Sequence, residues 1–123
     1  MLIKDFYKVN EVNFNGSGID ATINLNPDHE VYKGHFPEQP VVPGVIQLQI
    51  VKELLEEVLQ AKLLMNNIIQ VKYLIPITPN ENPTLDFSIT NKVIDGNRIK
   101  SNITIGINDV TFTKARIEFL ITP

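Results

Sequence analysis

The chain has 123 residues, 43% of them hydrophobic: enough for one real core and too few for two, so residues 1–123 are read as a single domain. Eleven Lys and Arg against 14 Asp and Glu leave a net charge of −3, with no basic cluster, which argues against a nucleic-acid partner. The absence of cysteine excludes disulfides and thiolate chemistry, and with His29 and His35 as the only histidines neither a metal site nor a cofactor is expected.

The opening M-L-I-K-D-F-Y-K mixes charged with apolar residues and carries no signal-peptide pattern. No apolar run approaches a membrane span, so a soluble cytoplasmic protein with no membrane partner is the expectation. An Asn/Gly/Ser-rich turn at Asn13 to Gly18 precedes a strand carrying Ala21, Ile23 and Leu25. His29, in N-P-D-H-E, reads as a solvated loop residue.

From Val45 to Gln60, apolar residues recur at helical spacing opposite a polar stripe of Gln49, Lys52, Glu53, Glu56, Glu57 and Gln60. This is one helix, and its wide apolar sector suggests that a curved sheet or a second subunit wraps it. Four alternating segments follow: Ile69 to Ile75, Leu85 to Ile89, Ile99 to Ile107, and Ala115 to Ile121. Turn signals at Thr78–Pro83, Asp95-Gly96-Asn97 and Asn108-Asp109 separate them, so consecutive strands are expected to pair as hairpins in a four-strand meander. The inward phase changes between Phe112 and Ala115, which predicts a bulge near Thr113 or Lys114. The sum is an α+β domain in which an antiparallel sheet covers one helix. Pairing of exposed sheet edges predicts a symmetric dimer.

The segment G-H-F-P-E-Q-P-V-V-P-G-V-I-Q-L-Q, Gly34 to Gln49, carries most of the chemistry. Pro37, Pro40 and Pro43 fix their own φ and bias their predecessors toward extended backbone, so the path from His35 to the helix has little freedom. Gly44 removes a Cβ at the helix mouth, where unpaired N–H groups favour a partial negative charge.

Gly34, His35, Phe36, Pro37, Pro40, Pro43, Gly44 and Val45 stand where the hotdog-fold 3-hydroxyacyl-acyl-carrier-protein dehydratases carry their signature, and the chain resembles that family over essentially its full length. The resemblance implies a hotdog fold, a double-hotdog homodimer with sites at the subunit boundary, and as partner an acyl carrier protein bearing a phosphopantetheine-linked acyl chain. It implies His35 as the base that takes the α-proton, and Gly44 as the amide that polarises the thioester carbonyl. Phe36, Val45 and Gln49 fall among the substrate-binding positions.

The family's acid lies fourteen residues after the histidine, where this chain has Gln49, and an amide has no proton to give. Many relatives carry Gln one turn later, at the position of Glu53, so carboxylate and amide look exchanged on one helical face. Two functions follow. In one, the chain is a dehydratase with Glu53 or a bound water as proton donor. In the other, it is a non-catalytic subunit that binds acyl thioesters or partners an active relative. Thioester hydrolysis is weaker, because no second carboxylate is placed to favour it.

Overall fold

The computed structural model describes residues 5–34 and 39–122. His35 and Phe36, the histidine and its neighbour in the motif, lie outside the described residues. Six strands form one antiparallel sheet: β1 (Tyr7–Asn15), β2 (Gly18–Leu25), β3 (Lys62–Tyr73), β4 (Thr84–Asp95), β5 (Arg98–Ile107) and β6 (Val110–Thr122). Their order across the sheet is β1-β2-β4-β5-β6-β3. One helix, α1 (Gly44–Leu59), supplies Leu48, Ile50, Val51, Leu54 and Leu55 to the core, where they join inward residues of the sheet in a single cluster. Alternation along β2, β4 and β5 gives each strand one buried face. Burying each large apolar side chain there contributes about 1.5–3 kcal/mol.

Two hairpins match the turn chemistry of the sequence. Asp95 pairs with Arg98 across Gly96 and Asn97, and Ile107 pairs with Val110 across Asn108, whose φ is 54°. The expected hairpin between the first two strands after the helix does not form. β3 pairs with β6 instead, across about fifty residues of sequence, and residues 74–83 cross from one side of the sheet to the other. The Thr78 carbonyl accepts from Asn82 N at 2.8 Å, so the turn exists but lies inside this crossing.

β3 also begins at Lys62, seven residues before the first residue of its alternating segment, and most of it is exposed because it forms one edge of the sheet. Bulges at Asn66 and Ile69 break its period. β1 was invisible to periodicity for the same reason: its extra residue, Asn10, spaces Val9 and Val12 three apart on an edge strand. The bulge expected near Thr113 or Lys114 lies at Phe112, which has no direct partner between Thr111, opposite Gly106, and Thr113, opposite Ile105. Phe112 and Thr113 are consequently both buried, and the Phe112 carbonyl accepts from Leu74 N at 2.8 Å and Ile75 N at 3.2 Å.

Candidate functional site

The mouth of α1 is held by a polar clamp inside the core. Pro43 occupies the N-cap with φ −59° and ψ 144°, and its carbonyl accepts from Ile46 N at 3.1 Å and Gln47 N at 3.2 Å. Proline offers no side-chain acceptor to the first-turn amides. Gln47 is buried within the apolar arc of the helix, and burying an amide is costly unless it is satisfied. Both ends are satisfied: Nε2 donates to the Val42 carbonyl at 3.3 Å, and Oε1 accepts from Thr113 Oγ1 at 2.6 Å. Val42 N also donates to the Ile77 carbonyl at 2.9 Å. The proline segment is thus tied to the helix, to the bulge in β6 and to the crossing connection at once.

Gly44 has a specific steric reason to be glycine. A Cβ there would meet Tyr73 Cζ and Oη at 2.5 Å. The Tyr73 ring, half exposed at the end of β3, therefore covers the helix mouth, and burial raises its phenol above the usual tyrosine range. Val45 is 74% exposed.

One turn further on, Gln49 and Glu53 meet. Gln49 Nε2 donates to Glu53 Oε2 at 2.9 Å. Helical side chains lean toward the N-terminus, so Glu53 reaches back to Gln49 and the pair forms one polar unit on that face. The second carboxylate oxygen, Oε1, accepts from the Tyr7 hydroxyl at 2.9 Å. Tyr7 opens β1 and is buried; burial first, and then the bond and charge of Glu53, push its phenol well above the usual range. Beside this trio runs a groove of about 1070 Å³ between β1 and the C-terminal half of α1, lined by Tyr7, Val9, Glu53, Leu54, Val58 and Lys62.

Spacing alone put Gln49 and Glu53 on one helical face, but the sequence did not single out Tyr7, Gln47 or Tyr32, and it marked Thr113 only as a bulge position. For Gln47 a signal existed, since a polar residue inside an apolar arc must find partners. His29, expected in solvent, instead caps the 3₁₀ turn Glu30–Lys33, accepting from Val31 N at 3.1 Å through Nδ1 with its ring 5.2 Å from that of Phe6. In the same turn Tyr32 is buried against Phe6, and its hydroxyl has no hydrogen-bond partner among the described residues. Among the described residues no group of His, Asp and Glu is arranged to hold a metal ion, and no helix is long and apolar enough to cross a membrane.

Residues 11–106 match the model of the ApeI-like family, described as ApeI dehydratase. The 3-hydroxyacyl-[acyl-carrier-protein] dehydratase FabZ of Lactococcus lactis subsp. lactis (strain IL1403) is 34% identical over 79 residues, which cover 58% of this chain and 52% of that protein. The chain spans about half the length of that relative. The dehydratase heterocomplex ApeI:P from Xenorhabdus doucetiae superposes with a TM-score of 0.73 at 22% identity, over 92% of this chain and 96% of the other. A hypothetical thioesterase with coenzyme A from Streptococcus pneumoniae TIGR4 superposes with a TM-score of 0.67 at 10% identity, over 94% of this chain and 85% of the other. At such identities these two structures establish the fold, which is the hotdog fold. With the family model spanning β2 to β4, the motif and the whole of α1, the chain belongs to the ApeI-like dehydratase family.

Proposed function

We propose that the protein is an acyl-thioester dehydratase that eliminates water reversibly from a 3-hydroxyacyl chain carried on the phosphopantetheine arm of an acyl carrier protein. The observation that carries this reading is the 2.9 Å bond between Gln49 and Glu53, which keeps a carboxylate and an amide together on the helical face where the family uses both. In this mechanism His35 takes a proton from C2 and the C2–C3 double bond forms as the C3–O bond breaks. Glu53 gives the departing hydroxyl its proton, directly or through one water, so that it leaves as water. The Gly44 amide stabilises the negative charge that builds on the thioester oxygen. Phe36 and Val45 flank the acyl thioester.

The working unit in this reading is a homodimer. Among the described residues β3 has β6 on one side and a free edge on the other; Leu64, Ile68 and Ile69 are exposed in it, and Leu74 and Ile75 just beyond its end. Pairing of two such edges would cover them and bring the exposed Val45 against a second copy.

A second reading, a non-catalytic thioester-binding subunit, is favoured by one fact: both oxygens of Glu53 already accept hydrogen bonds from the chain itself. The heterocomplex named for the Xenorhabdus structure offers a setting for such a subunit. One assay separates the two readings. Interconversion of 3-hydroxyacyl and trans-2-enoyl carrier-protein thioesters by the wild type, reduced about 100-fold in Glu53→Gln, supports the dehydratase. Thioester binding without interconversion, unaffected by Glu53→Gln, establishes the binder.

A further inference from the structure

Glu53, Glu56 and Glu57 crowd two turns of one helix face, where like charges at these spacings repel. The fold anchors two of them to different places. Glu56 Oε2 accepts from Leu63 N at 2.9 Å and secures the start of β3. Glu53 is held from at least two directions, and the donors Gln49 and Tyr7 differ in kind. The bond from Gln49 is local, four residues away on the same helix, and any isolated helix could make it. The bond from Tyr7 spans 46 residues and comes from a strand whose register is fixed by the pairing of Tyr7 with Leu25. Tyr7 is only 7% exposed, so its phenol has little freedom to follow a wandering carboxylate.

We infer that Tyr7 is the positioning residue for Glu53, its hydroxyl fixing from β1 the side-chain arrangement in which the carboxylate meets Gln49. The inference rests on the dehydratase reading above. Tyr7 need not touch the substrate. Its effect passes through Glu53, because a carboxylate released from the phenol can swing away from Gln49 into the open groove beside it, and proton transfer requires an approach of about 3 Å.

The test is a double-mutant cycle on the elimination reaction with Tyr7→Phe, Glu53→Gln and the pair together, all as full chains with the 3-hydroxyacyl carrier-protein substrate. Tyr7→Phe keeps the ring and is expected to lower kcat about tenfold at unchanged KM. The pair is expected to be no slower than Glu53→Gln alone, since a residue that acts through Glu53 has nothing left to position. A merely structural role would instead multiply the two losses. Should Tyr7→Phe fail to fold, Tyr7→Leu removes the same hydroxyl and enters the same cycle with the same expectation. Turnover that these variants leave intact, or losses that multiply, overturns the role of Tyr7 alone; a wild type with no turnover overturns the dehydratase reading and this inference with it.

Discussion

Thr113 Oγ1 donates a 2.6 Å hydrogen bond to Gln47 Oε1, joining the bulge of β6 to the first turn of α1 where both side chains are buried. The bulge makes this contact possible, because only the extra residue at Phe112 lets two consecutive side chains of β6 face inward. Thr113→Val keeps the shape and removes the donor, leaving the Gln47 oxygen buried without that partner. The expected loss is about 1–3 kcal/mol in urea unfolding. Because Gln47 also grips the Val42 carbonyl, the same variant should weaken thioester binding.

Gly44→Ala separates stability from function. The added methyl meets only the far end of Tyr73, whose half-exposed ring can swing into solvent, so unfolding free energy should change by less than about 1 kcal/mol. The methyl then occupies the helix mouth itself. Turnover or thioester affinity should fall about 100-fold, measured by steady-state kinetics or by titration with a non-reactive acyl thioester.

Tyr7 and Tyr32 should make the protein sensitive to alkali. Burial raises both phenols above the ordinary value of 10.0, with Glu53 adding to the effect at Tyr7. Above about pH 10 the unfolded chain loses these protons while the folded chain keeps them, so stability is whole below that pH and declines as the pH rises. The decline is expected to reach up to about 1.4 kcal/mol per pH unit for each phenol. Tyr32→Phe should flatten it. At neutral pH the same variant should gain about 1 kcal/mol, because it deletes a buried hydroxyl that has no partner among the described residues. Urea unfolding at both pH values checks both signs.

Gly106→Ala provides the contrast with Gly44. Here a Cβ would run into the Val110 carbonyl, which is backbone and cannot move aside cheaply. We expect a loss of about 1–3 kcal/mol in the unfolding free energy and a disturbed β5–β6 hairpin, visible as lost amide-exchange protection around Ile107 and Val110.

What periodicity could reveal depended on how regularly each segment presents one face to the core. α1, β2, β5 and the first half of β4 alternate or repeat without interruption, and their pattern was visible in the residues themselves. β1 is an edge strand broken at Asn10 and left no readable period, whereas β3, broken at Asn66 and Ile69, was legible only from Ile69 onward. Short connections also favoured a hairpin after the helix, yet β3 leaves α1 along the opposite edge and reaches β6 instead. The site divides in the same way. Gln49 and Glu53 share a helical face by spacing alone, whereas the contact with Tyr7 is created by the packing of β1 against α1 and has no local trace.

The placement of β6 between β5 and β3 also governs the order in which the chain can assemble. When residues 62–73 leave the ribosome, the partner strand that will satisfy one row of their backbone groups is still some forty residues from being synthesised. Until then β3 has neither of its flanks covered, and its Leu and Ile residues are open to whatever chain or chaperone is nearby. Contacts so distant in sequence also form slowly, so the nascent chain carries β3 uncovered for as long as it takes to make and dock β6.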